Sequence, residues 1–408
     1  MIDVSIETAQ RFILEKQGLL TEKQCKSVMD IVNRIHNVQI DTISVVARSH
    51  DLTLFNRFED YNEKEIWNYL KKKDLFEYYS HALCLIPIKE YPFYRWRMDV
   101  YESSDKNPYW DKWITVNKKV LDHVLKRIKK EGALSSKDFK VPEERKSKGW
   151  FDWKEEKKAL EFLFYCGKLL ISHRIGFQKY YDLPERVIPA NVSCEPLEIE
   201  EIPDYIVNVI FSSIGLGDYE EFRNYITSRA VRKIWNNKPK LMTSFLEEKV
   251  ADGTLEEVNV EGIDKKQFVL ASERNKLTKA LVIDPSHCKL INPFDNIARD
   301  RKLLLKMWSF DYKLEAYTPP AQRIFGYYLM PLLYGHQFVG RLEPKAHRKD
   351  GILEIRSLYY EDWFKPCKEF YERLASGIRK FATFHNCNEI VLNDKLNKKD
   401  KSSLSPIL

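Results

Sequence analysis

One order of elements recurs three times along this chain, and it limits the fold more than any other feature. Asn62 with Glu65 opens a helical run ending near Lys72, and two short β-like runs follow, Leu75 to Ser80 and Leu83 to Pro87. Asp152 with Glu155 opens a second helix through Cys166. Gly167 stands where a helix-terminating glycine belongs, and Leu169 to His173 and Phe177 to Tyr181 flank Gly176 as a hairpin. The third copy runs from Leu241 to Val250, passes Gly253, and continues as Leu255 to Val260 and Gln267 to Leu270 around Gly262. The turns near His81, Gly176 and Gly262 lie about 85 to 95 residues apart, the size of a small helix-turn-helix unit with a β-hairpin wing. The expected fold class is α+β, with three tandem winged-helix units.

The flanks differ. Thr21 with Gln24 has the form of a capping box, and Val28, Ile31, Val32 and Ile35 then fall on one helical stripe, a core face. After Phe310 the pattern turns to β, through Tyr312 to Tyr317, Gly326 to Tyr334, Phe338 to Glu343 and Leu353 to Tyr359, and Lys365 to His385 closes as a helix. That predicts a small antiparallel β domain. The expected segments are 1–105, 106–195, 196–285 and 286–392, with a polar, flexible tail over 393–408.

At 408 residues and 44% hydrophobic, the chain is too long for one core and too apolar for disorder. It contains no long uninterrupted apolar run, and Met1 to Gln10 lacks a basic-then-apolar leader, so a cytoplasmic monomer with no membrane partner is expected. The 7 cysteines include no CxxC pair, which argues against a disulfide frame or a zinc site; neither metal nor cofactor is expected.

The net charge of +7 is unevenly spread. Lys112 to Arg174 holds 17 Lys/Arg against 9 Asp/Glu, a surplus of 8, whereas Glu195 to Glu221 holds 8 acidic residues and no basic ones. A concentrated basic stretch is the footprint of phosphate contacts, or else a solvated helix face. Winged helices also serve as protein-interaction modules, so a non-catalytic DNA-binding or regulatory protein stands as an alternative to an enzyme.

Val38-Gln39-Ile40-Asp41-Thr42 alternates in polarity. In a helix the Gln39 and Asp41 side chains would diverge by about 200°. In an extended or turn-like chain they converge on one water, where a carboxylate polarises the water and stabilises a cationic sugar while the amide orients it. The other reading is that Asp41 or Thr42 caps a helix starting at Ile43. No lysine adjoins the pair, which favours water over a Schiff-base nucleophile. Candidate DNA contacts are Arg48 and His50 beside this segment, His81 in the first hairpin, Arg95 and Arg97 in the aromatic stretch Tyr91 to Trp96, and Arg174, Lys179 and Arg186 on the second wing. His50 and His81 read equally well as structural histidines. Trp150, Phe151 and Trp153 read as packing residues.

The run Gln39 to His50, followed by Tyr78 to Pro87, Arg174 to Pro189, Asn292-Pro293-Phe294-Asp295-Asn296 and Phe325 to Gly335, resembles the YcaQ/AlkZ-type winged-helix DNA glycosylases. The resemblance spans roughly residues 5 to 392 in one order. It implies a monofunctional glycosylase that removes N7-alkylated purines from double-stranded DNA and unhooks interstrand crosslinks. It also implies a Gln-apolar-acid/amide active-site motif, here Gln39-Ile40-Asp41. The aspartate is like that of the YcaQ branch; the branch ending in a second glutamine, tied to self-resistance against an alkylating toxin, does not fit Asp41. In this reading Asp41 is the general base and electrostatic stabiliser, and Gln39 holds the water. An N7-alkylated guanine is already cationic and leaves without a general acid, so a site this sparse is sufficient.

Overall fold

Val28, Ile31, Val32 and Ile35 are fully buried along the helix Val28–Ile35 of the computed structural model, as the stripe requires. The cap is Ser27 and not Thr21: the Ser27 hydroxyl accepts the Asp30 N–H at 3.1 Å. The structure describes residues 1–21, 24–58, 60–105, 108–139, 154–279 and 288–408. Asp152 and the aromatic residues Trp150, Phe151 and Trp153 lie outside these residues, as do Lys140, Arg145, Lys146 and Lys148 of the basic stretch.

The chain opens with β1 (Ile2–Val4) and the helix Ile6–Lys16, and the stripe helix leads into the two-residue β2 (Val38–Gln39). The helix Glu65–Lys71 precedes β3 (Leu75–Tyr79) and β4 (Leu83–Pro87). The helix Glu155–Tyr165 precedes β5 (Leu170–Ile175) and β6 (Gln178–Asp182), and Pro239–Ala251 precedes β7 (Leu255–Val260) and β8 (Gln267–Leu270). Each of these strand pairs is antiparallel, so the helix-then-hairpin order occurs at all three expected places.

The chain gathers into two units, each built from separate stretches and not from the consecutive segments expected. The first comprises Met1–Tyr61, Val207–Tyr225 and Pro239–Leu408; the second comprises Asn62–Ile206 and Ile226–Lys238. Within the first unit, β1 runs parallel to β7 with Ile2 opposite Val258, joining sequence-distant ends that a linear reading separates. Its largest sheet has five strands in the order β13 (Glu389–Leu392), β12 (Ile352–Tyr360), β11 (Gln337–His347), β10 (Met330–Tyr334), β9 (Cys288–Leu290). Only the β12–β13 pair is parallel. The helix Lys368–Phe384 lays Phe370, Leu374, Ile378 and Phe381 on this sheet, the spacing of one helical face. At Gly377 a Cβ would run into the Cys288 carbonyl, so the helix lies this close only because that position is glycine.

Two expectations for this region fail. Tyr312 to Tyr317 is not a strand: Tyr312 is buried, its hydroxyl donates to the Leu329 carbonyl at 2.7 Å, and its ring stacks on Phe310, so alternation here reflects core packing of an irregular segment. Nor is 393–408 a flexible tail. Asn397 caps the helix Lys398–Leu404, and Asp400, 1% exposed, accepts the hydroxyls of Tyr360 (3.0 Å) and Tyr371 (2.7 Å). A buried carboxylate with two phenolic donors anchors the segment.

In the second unit, β3 is buried on both faces over Leu75-Phe76-Glu77-Tyr78, with Phe76 edge-on to Tyr91 and Tyr94 and Tyr78 edge-on to Phe164. Glu77 therefore needs an internal counter-ion, which Arg174 of β5 supplies, its Nε 2.8 Å from Glu77 Oε2.

Candidate active site

The segment carrying Gln39 and Asp41 is aimed by what precedes it. His36 ends the stripe helix in the left-handed conformation, φ 62°, and redirects the chain into β2. The Asn296 side-chain amide then donates to the carbonyls of Ile35 (3.0 Å) and Asn37 (3.1 Å), holding the chain on both sides of that turn. Val38 and Ile40 enter the core while Asp41 stays half-buried. No helix begins at Ile43; the next one is Ser49–Phe55. Asp41 instead closes an Asx turn, its Oδ1 accepting the Ile43 N–H at 2.7 Å, and its Oδ2 lies 3.3 Å from Gln39 Nε2. One carboxylate oxygen is thus tied to the backbone and the other is turned toward the glutamine amide.

The Asn292–Asn296 run is the frame of this site. Asn292 donates to Ser49 Oγ at 2.8 Å and to the Ser49 carbonyl at 3.0 Å, fixing the first turn of the following helix, and accepts the Tyr328 hydroxyl at 3.0 Å. Asp295 pairs with Arg57 where neither side chain is exposed, and Asn296 holds Ile35 and Asn37. Ile43, Val45, Val46 and Ala47, just after Asp41, pack in the same core as Leu314, Ala316 and Tyr328. The Tyr328 hydroxyl is held well above its ordinary pKa, by burial first and then by the charges of Tyr312 and Asp41. Asn292–Asn296 and Tyr328 carry part of the family resemblance, yet the sequence by itself assigns them no role. The available signal was a run of three Asn/Asp side chains around Pro-Phe, amides and carboxylates suited to holding backbone.

The expected DNA contacts separate into two groups. His50 is buried, its Nε2 3.5 Å from Asp51 Oδ2, and is a core histidine. Arg174, 2% exposed against a fully buried Glu77, also faces the Phe177 ring and carbonyl, so its guanidinium is spent internally. Lys179 reaches Glu161 at 3.1 Å. Arg186 caps the helix Pro108–Glu131 through the carbonyls of Ile128 (3.1 Å) and Lys129 (2.8 Å), with Asp182 at 3.2 Å. Arg174 and Lys179 of the second hairpin are thus each held by an internal carboxylate, whereas Arg186, on the short helix Pro184–Val187, keeps 39% of its side chain exposed. Arg95 pairs with Asp99 at 2.6 Å, and Arg97 lies over the Tyr94 ring at 5.3 Å, both half-buried. Arg48, at the start of the Ser49–Phe55 helix, and His81, in the β3–β4 turn, are also half-buried. Exposed cations of the basic stretch stand on the helix Pro108–Glu131, at Lys112, Lys118, Lys119, Lys126, Lys129 and Lys130. Among the described residues no cluster of His, Cys, Asp or Glu is arranged to hold a metal, and no helix is long and apolar enough to cross a membrane.

The family model "DNA glycosylase AlkZ-like" matches residues 32–384, which include Gln39, Asp41 and the Asn292–Asn296 frame. Among solved structures, the Streptomyces sahachiroi DNA glycosylase AlkZ is similar at a TM-score of 0.62 and 16% identity, covering 97% of this chain and 100% of that one, a likeness of fold. The chain belongs to the AlkZ-like DNA glycosylase family and is a DNA glycosylase.

Proposed function

We propose that this glycosylase hydrolyses the N-glycosidic bond of N7-alkylated purines in double-stranded DNA, crosslinked purines included, with Asp41 as general base and electrostatic stabiliser and Gln39 as the residue that positions water. The observation that carries this reading is the pair itself: Asp41 Oδ1 is anchored on the Ile43 N–H while Oδ2 faces Gln39 Nε2 at 3.3 Å. A carboxylate fixed by one oxygen keeps the other for a water and for the positive charge that builds on the sugar. The cationic base needs no acid to leave, and nothing in this arrangement requires a metal. The three helix-then-hairpin modules are read as winged helices, with 286–392 as a C-terminal β domain.

The test uses a duplex containing N7-methylguanine and a second duplex crosslinked by a nitrogen mustard. Wild-type protein is expected to release base from the first and unhook the second. Asp41→Asn should lose about 10²- to 10⁴-fold in single-turnover rate and still bind. Wild-type protein that frees no base from either duplex overturns the substrate assignment. An Asp41→Asn protein with full activity overturns the assignment of the base.

A further inference from the structure

The chain passes from the helix Val28–Ile35 into β2 through a turn held in an unfavourable conformation. His36 has φ 62° and ψ −21°, a left-handed backbone in which Cβ crowds the neighbouring carbonyl and which glycine or asparagine usually takes at a helix end. Asn37 stands one position later, yet the positive φ falls on the histidine. The Asn37 N–H donates to the Ile35 carbonyl at 2.8 Å and closes a three-residue turn centred on His36. Gln39 and Asp41 follow directly, so the direction of this turn sets the course of both. A left-handed residue other than glycine persists only where its surroundings hold it there. The Asn296 amide holds the carbonyls on either side, and the His36 ring supplies a further tie.

That tie is to Ser212, whose Oγ lies 2.8 Å from His36 Nε2. The serine hydroxyl has a single proton, which goes to the Val209 carbonyl at 3.3 Å, so Oγ accepts and the Nε2–H of His36 donates. Ser212 stands on the helix Ile202–Ile214, in the Val207–Tyr225 part of the first unit. Its surroundings are rigid. Phe211, Ser213 and Ile214 are buried, and Phe211 stacks on Phe222 at 6.3 Å. The Ser213 carbonyl accepts Gln17 Nε2 at 2.6 Å. Gly215, φ 81°, brings the end of this helix so near the helix Ile6–Lys16 that a Cβ would come within 2.6 Å of Lys16 Cγ. The His36 ring is therefore pinned to a packed post and not to a movable surface group.

We propose that His36 is a positioning residue for base release: its bond to Ser212 holds the left-handed turn in the direction that brings Gln39 and Asp41 together. Without the bond, His36 relaxes toward ordinary φ and the segment after it swings away. A reacting group displaced by about 1 Å loses as much as 10²-fold in rate, while a binding surface elsewhere is untouched. The histidine thus acts on the rate of the chemical step and not on affinity for DNA. The inference rests on the reading of Asp41 as general base.

Single-turnover base release from an N7-methylguanine duplex is followed over a range of concentrations of the full-length protein, which separates the maximal rate from half-saturation. His36→Gly accepts the left-handed turn without strain and should keep the melting temperature, yet its maximal rate should fall about tenfold or more with half-saturation changed less than about twofold. Ser212→Ala should show the same loss, and the double variant should be no slower than either single one, because each removes the same bond. His36→Gln, whose amide nitrogen takes the place of Nε2, should bring the rate back to within about threefold of wild type. A His36→Gly protein at the wild-type rate, a half-saturation that rises as much as the rate falls, losses that multiply in the double variant, or no recovery in His36→Gln each overturns the proposal. Amide exchange needs no substrate. The Ile43 N–H, held by Asp41 Oδ1, should exchange severalfold faster in His36→Gly and in Ser212→Ala than in wild type, and unchanged exchange also overturns the proposal. Full activity in Asp41→Asn, or wild-type protein that frees no base, overturns the reading of the site and not the tie, which the exchange of Ile43 decides.

Discussion

Arg57 and Asp295 meet in a two-point ion pair from which water is excluded, with Nη1 to Oδ2 at 2.6 Å, Nη2 to Oδ1 at 2.8 Å and neither side chain exposed. The same guanidinium donates from Nε to the Gln17 carbonyl at 2.6 Å and from Nη1 to the Thr53 carbonyl at 2.9 Å. Removing Asp295 would strand a buried cation. Asp295→Ala is expected to cost about 3–5 kcal/mol of stability, read from the denaturant midpoint, whereas Arg57→Met with Asp295→Leu should recover most of it. A single variant as stable as wild type would contradict the burial of this pair.

Asn296 is the residue whose loss should separate positioning from binding. Asn296→Ala removes the side-chain donor that bridges the Ile35 and Asn37 carbonyls, a cost of about 1–3 kcal/mol. The turn that leads into the Gln39–Asp41 segment then loses both of its Asn296 ties, so single-turnover base release should fall while duplex affinity stays near wild type. Equal losses in both would mean that the frame serves DNA binding instead.

Arg174 and the lysines of the Pro108–Glu131 helix should behave oppositely. Arg174→Met should lower the melting temperature by stranding Glu77 and leave the salt dependence of DNA binding unchanged. Replacing Lys118, Lys119 and Lys126 with glutamine should leave the melting temperature unchanged and flatten the plot of log affinity against log salt by about 0.9 for each phosphate that is no longer neutralised. An unchanged slope in the lysine variants would place the phosphate-binding face elsewhere.

Stability should fall on acidification through His385. The ring is 3% exposed, neither nitrogen has a hydrogen-bond partner among the described residues, and burial, aided by the Arg348 charge, lowers its pKa from 6.5 to about 3. The folded chain keeps this histidine neutral where the unfolded chain binds a proton. The contribution is therefore complete above about pH 6.5 and is lost progressively as pH falls toward 3. Denaturant midpoints of His385→Phe should depend less on pH across that window; identical pH profiles would mean that the ring is protonated in the native state.

Elements with local causes were readable in the sequence. The three hairpins are marked by paired short β-like runs, two of them around a glycine turn, and the extended course of Gln39 to Asp41 by a polarity alternation too short for a helix. Arg174 and Lys179 turn to internal carboxylates that the sequence does not pair with them, since Glu77 lies 97 positions from Arg174 and Glu161 lies 18 from Lys179. The useful sign was Glu77 itself, a charge inside an otherwise apolar strand. His50, which read equally well as a structural histidine, is buried: proximity to a motif says nothing about which way a side chain points. Composition made the tail look mobile, while Asp400, its one buried carboxylate, decides its fate.

The dependence of Gln39 and Asp41 on Asn292–Asn296 has a consequence for timing. During synthesis at about 5–20 residues per second, the N-terminal segment emerges long before the asparagines that hold it, with a whole second unit of chain translated between them. A nascent chain carries Asp41 without its frame, and, if Asp41 is the base proposed above, base excision begins only once the last third has been made. Fragments arising from premature termination before Asn296 should therefore bind no lesion productively and leave DNA intact.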